Sequence, residues 1–132
     1  MFPLAKTAIV VVVIATAGFA AAEAESQDVQ KFPDVVDVQV AASGDNRFDF
    51  DVTVSSPYDS PERYADAFRI MSADEEVFGV RELLHDHASE QPFTRRLSGV
   101  EIPTDISEVI VQARDKTHGY GGDTMQVELP GR

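Results

Sequence analysis

The sequence has 132 residues, a formal net charge of −12, and neither cysteine nor tryptophan. The charge argues against a phosphate-tracking nucleic-acid surface and against a polybasic membrane patch, both of which need clustered Lys and Arg, and it fits cations, basic partners or simple solubility. Without cysteine there are no disulfides and no thiolate chemistry, so stability must come from packing.

The chain opens with Lys6, an uncharged apolar run from Ala8 to Ala22, and the small-x-small triplet Ala22-Glu23-Ala24, which together read as a secretory signal peptide over residues 1–24. Cleavage is expected after Ala24, with Ala22 as the second choice, and the run of about 15 residues is short of the ~20 needed to span a bilayer. No cysteine follows the cleavage point, so a cysteine-borne lipid anchor is not expected. Residues 25–132 then form one domain of about 108 residues, enough for one modest core. Lys6 and Glu23 cancel, so the whole −12 belongs to that domain.

Within it, apolar residues alternate with polar ones, the period of a half-buried strand. Val36, Val38 and Val40 are expected on one face of a first strand, followed by the turn Ser43-Gly44-Asp45-Asn46. Phe48, Phe50, Val52 and Val54 make the clearest second strand, and its apolar face must be core at ~1.5–3 kcal/mol per large side chain. Pro57 and Pro61 impose a loop over 55–63. The segment 64–71, with Phe68 and Ile70 inward, is read as a third strand in preference to a helix, and 77–84, with Phe78, Val80 and Leu84 on one face, as a fourth. A loop over 85–92 leads to a fifth strand in which Phe93, Arg95 and Leu97 share a face. Arg95 on that apolar side suggests a rim ion pair with Asp86 or Asp115. Val100, Ile102 and Pro103 lead into a polar link. Two last runs, Val109/Val111/Ala113 and Met125/Val127/Leu129, form a closing hairpin whose strand-free tip carries His118 and Tyr120. The fold expected is all-β: an immunoglobulin-like or fibronectin type III-like sandwich of about seven antiparallel strands.

The segments His85-x-His87, Glu90-Gln91-Pro92-Phe93-Thr94-Arg95, Leu97-Ser98-Gly99-Val100, Ala113-Arg114-Asp115 and His118-Gly119-Tyr120-Gly121-Gly122 together resemble a group of small exported bacterial proteins without an assigned activity. The resemblance covers most of residues 48–130; it implies a periplasmic or secreted sandwich and no reaction.

In fibronectin strand order the loops 55–63, 85–92 and 115–123 lie at one end, which gathers all three histidines of the sequence there. His85, His87 and His118 could then give three imidazole nitrogens to Zn²⁺ or Cu²⁺, with a fourth position open. The bland alternative has His85 and His87 capping their own loop and His118 packing under Tyr120. A second function class is a protein-interaction module that uses Tyr58, Tyr120 and the same loops, tyrosine being a rigid amphipathic contact. Weaker features complete the survey. Asp59, Glu62, Asp115 and Asp123 do not match a calcium loop and read as solvated acidic residues. The glycines around Tyr120 lack the helix and lysine of a phosphate cradle. Met125 reads as packing rather than a copper ligand. Ser89 and Thr117 lack the strained elbow of a nucleophile. No enzyme activity, nucleic-acid partner or membrane contact beyond the signal peptide is expected.

Overall fold

A computed structural model describes residues 30–132; the expected signal segment and cleavage point lie outside the described residues. Seven antiparallel strands form β1 (Asp34–Gly44), β2 (Arg47–Ser55), β3 (Ala65–Met71), β4 (Val77–Glu82), β5 (Phe93–Glu101), β6 (Glu108–Asp115) and β7 (Gly119–Glu128). They make a three-stranded sheet, β1-β2-β5, facing a four-stranded sheet, β4-β3-β6-β7, the three-plus-four order of a fibronectin type III-like sandwich. The segment 64–71 is a strand, and the helical alternative is not realised.

The core is the set of inward positions of both sheets. Phe50, Val52 and Val54 face Phe68, Ile70, Val109, Val111 and Ala113, all fully buried. For these strands the alternation in the sequence maps directly onto burial, because the pleat sends successive side chains to opposite faces.

Four expectations about facing or strand extent need correction, three of them because of an extra residue or an early strand end. In β1 the register slips between Val35 and Asp37, a bulge that reverses which parity faces inward. Val35 is therefore buried and Val36 exposed, while Val38 and Val40 still pack on the core. In β4 a register shift leaves Phe78 as an extra residue, so Gly79 faces the core and Val80 is 42% exposed; the strand then ends at Glu82, two residues early, Leu83 turns in, and Leu84 is 81% exposed. Strand β5 continues past Ser98 to Glu101 through an irregularity opposite Phe48 and Phe50, where Gly99 adopts φ 65°, which returns Val100 to the core. The closing hairpin is tighter than expected. Asp115 pairs with Gly119, so Tyr120 lies inside β7 opposite Arg114 and only residues 116–118 form the turn.

The sandwich therefore has two flanks. On one, β1 and β7 meet; on the other, the edge strands β4 and β5 approach each other.

Candidate functional site

The three loops expected at one end do meet there, and buried carboxylates join them. Asp115, at the end of β6, has a fully buried side chain. Its carboxylate accepts from Tyr58 Oη (2.6 Å), from Arg63 Nε (3.2 Å), and from the backbone N–H groups of Thr117 (2.9 Å) and His118 (2.8 Å). Burial alone would raise its pKa; the Tyr58 hydrogen bond, the two amides and the Arg63 charge outweigh that and hold it below the ordinary carboxylate range. Burial and the same hydrogen bond push the Tyr58 phenol well above its ordinary value. Arg63 lies 4.0 Å over the Tyr58 ring and donates through Nη2 to the carbonyls of Gln30 and Lys31, tying the segment before β1 to this end.

Asp59 does the same for the neighbouring loop. It is 6% exposed and accepts from Ala65 N (3.1 Å) and His87 N (2.9 Å). Gln91 adds a third tie, accepting from Ser56 N (2.7 Å) and donating to the His87 carbonyl (3.1 Å). Asp59 and Asp115 are thus internal braces, not the solvated acids expected from composition. A local signal was available for Asp115: an aspartate followed at two and three residues by turn amides is an Asx-turn.

His85 and His87 come together, with ring centroids 5.0 Å apart. His87 stacks on Phe93 (4.0 Å, 10° between planes), whereas His118 sits on its turn with its ring edge-on to Phe32 at 6.2 Å. Among the described residues no three His, Cys, Asp or Glu side chains are grouped to hold a metal ion. The expected convergence of His85, His87 and His118 does not form, because β7 starts at Gly119 and fixes His118 on the Phe32 side. His118 packs against Phe32, not under Tyr120.

Tautomers sharpen the picture. His85 Nδ1 lies 3.0 Å from the Asp86 carbonyl, an acceptor, so Nδ1 carries a proton. His87 Nδ1 is buried without a partner. A bare lone pair there is tolerated better than an orphaned N–H, which leaves the proton on Nε2. Burial first, then the charges of Arg95 and His85, lower the His87 pKa and keep the ring neutral. A metal approaching Nε2 would drive the proton onto buried Nδ1 at ~1–3 kcal/mol.

The tyrosines expected as contacts are engaged. Tyr58 is bonded into the Asp115 brace. Tyr120 lies under Arg69 (3.9 Å) and beside Arg114 (5.6 Å) on the outer face of the four-stranded sheet. Arg95 pairs with Glu90 at 3.0 Å, a correction to the expected partners Asp86 and Asp115, since the short loop returns Glu90 beside its own strand.

The β4–β5 flank was not among the sites the sequence pointed to. There a pocket of about 170 Å³ is lined by Arg81, Leu84, His85, His87 and Arg95, with Glu82 also on its wall. Val77 (43%), Val80 and Leu84 are three of the four exposed large hydrophobics among the described residues, and all lie on β4 or just after it. Arg95 on an apolar strand face reads as a rim ion pair, and the signal overlooked was Arg81 in the same kind of context on β4.

No protein-family model matches the chain, and no solved structure matches it. A curated protein of Halomicrobium mukohataei, named "Putative lipoprotein", is 39% identical over 94 residues, which is 71% of this chain and 46% of that protein. The chain spans about half the length of the curated relative it matches.

Proposed function

We propose that the chain is an exported, non-enzymatic binding module whose working surface is the β4–β5 flank. The carrying observation is the clustering of exposed Val77, Val80 and Leu84 on or just after an edge strand whose outer backbone groups pair with no other strand among the described residues. An edge of this kind accepts an added strand, with main-chain hydrogen bonds giving affinity and side-chain pockets giving selectivity. The occupant best suited is an extended segment of another protein whose apolar side chains cover Val77 and Val80. The apolar N-terminal run and the lipoprotein name of the relative both support export. Within these 132 residues there is no cysteine to carry a lipid.

The test is capture from an envelope fraction by the wild-type chain, by Val77→Glu with Val80→Glu, and by Thr124→Glu on β7. A partner retained by wild type and Thr124→Glu but lost by the double variant supports the flank. Equal capture by all three removes it.

A second reading keeps a transition metal on His85 and His87 alone, favoured by their 5.0 Å separation. Its cost is the proton displaced onto His87 Nδ1. Titration with Cu²⁺ and Zn²⁺ separates the readings: submicromolar binding lost in His85→Ala with His87→Ala would establish the metal.

A further inference from the structure

The pocket beside β4 has a chemistry of its own. Arg81 and Arg95 occupy the rim of the core-facing side, where the two edge strands approach each other. Each guanidinium is held in place by part of its donor set. Arg81 donates through Nε to the Glu82 carbonyl and through Nη1 to the Arg96 carbonyl. Arg95 donates through Nη2 to Glu90 and through Nη1 to the Thr94 carbonyl. Arg81 Nη2 and Arg95 Nε have no hydrogen-bond partner among the described residues, so each side chain is oriented and still has an N–H to give.

The charges narrow the ligand. Arg95 is neutralised by Glu90, whereas the bonds of Arg81 go to neutral carbonyls and no carboxylate pairs with it among the described residues. Arg81 is thus a guanidinium outside any direct ion pair among the described residues, and the Glu82 carboxylate on the same wall balances its charge at longer range and opposes a second negative charge on a ligand. His87 adds a neutral ring whose unpartnered buried Nδ1 fixes the proton on Nε2. Oriented N–H donors beside one guanidinium free of a direct ion pair, with a carboxylate on the wall, suit a planar monoanion better than a phosphate dianion. The volume of about 170 Å³ is that of roughly six waters at ~30 Å³ each, and exposed Leu84 on its lining supplies an apolar contact.

We propose that this pocket binds a carboxylate attached to an apolar group, with Arg81 and Arg95 holding the carboxylate and Leu84 covering the apolar part. The carboxylate of a small free acid and that of a peptide C-terminus share this chemistry. The proposal rests on the β4–β5 flank being the working surface and adds the ligand class.

The test is a titration of the full chain, followed by amide NMR shifts, with N-acetyl-leucine, N-acetyl-leucinamide, inorganic phosphate, and an acetylated tripeptide ending in free leucine. The expected result is saturable binding of N-acetyl-leucine with shifts at Arg81, His85, His87 and Arg95, and at least about tenfold weaker binding of the amide and of phosphate, a difference of ~1.4 kcal/mol. Tighter binding of the tripeptide identifies a peptide C-terminus, and equal binding a free acid. Arg81→Met should remove the preference for acid over amide. Equal affinity for acid and amide in the wild-type chain, shifts that map away from the pocket, or no saturable binding would overturn the proposal, and none of these depends on a variant folding. A partner that docks only through Val77 and Val80 would fail this titration and still pass the substitution test above, so the two failures are distinguishable.

Discussion

The two flanks of the sandwich close in opposite ways. At the β1–β7 flank the segment Gln30–Pro33 is clamped between the sheets: Arg63 holds its carbonyls, and Asp123 N donates to Asp34 Oδ1 at 2.7 Å. Gly121 and Gly122 leave room for it, since a Cβ at either position would collide with the Phe32 ring or the Pro33 carbonyl, and Gly122 has φ 78°. At the β4–β5 flank Gly79 of β4 packs closely on Leu97 and Val100 of β5, but among the described residues nothing fills the space beside Arg81. A pocket remains, one arginine crosses to a carbonyl of the facing strand, and apolar side chains stay in solvent.

The largest effect should come from the brace of the sealed side. Asp115→Ala leaves the Tyr58 hydroxyl, two turn amides and Arg63 without their common acceptor, and should cost about 3 kcal/mol of stability, read from urea midpoints. Gly122→Ala forces a Cβ into the Pro33 carbonyl at a positive φ and should cost about 2 kcal/mol by the same measurement. If either variant is as stable as wild type, the sealed flank does not carry the load assigned to it.

Acid should act next, in two steps. His87 has a lowered folded pKa, so the unfolded chain takes up its proton first, and stability should fall as the pH drops below about 6.5. Asp115 also has a lowered folded pKa; its contribution is present above the ordinary carboxylate pKa and is lost as the pH falls through the folded value. Urea midpoints against pH should show both limbs, with His87→Phe removing the upper and Asp115→Asn the lower. An unchanged upper limb in His87→Phe would contradict a buried neutral imidazole. The smallest effect is expected on the open side: Val80→Glu should change stability by no more than about 0.5 kcal/mol, because the side chain is already in solvent.

Much of the sandwich was legible in the sequence. Phe48, Phe50, Val52 and Val54 of β2 and Val109, Val111 and Ala113 of β6 are buried as their period-2 pattern predicts. The failures fall where one residue is added or a strand stops early. Val36 was expected on the wrong face and β5 was expected to end before Val100, because the bulges after Val35 and at Gly99 are invisible to a period-2 count, and Leu83 changed places with Leu84 because β4 ends at Glu82. The loop end was located correctly, since strand order alone brings those loops together. Its chemistry was not: in a chain with 23 acidic residues, Asp59 and Asp115 look like solvated charges, and beyond the local turn amides at Asp115 only tertiary contact supplies their donors. The pocket was hidden for a related reason, since Arg81 and Arg95 become neighbours only when β4 and β5 face each other across the open flank.

The central claim is that binding occurs at the open flank and not at the sealed one. Its most direct test places a photoreactive amino acid at position 80 on β4 or at position 124 on β7 and irradiates the producing cells. A discrete cross-linked adduct from position 80 and none from position 124 is the predicted result. Adducts from position 124 at equal or greater yield, or none from position 80, would contradict it.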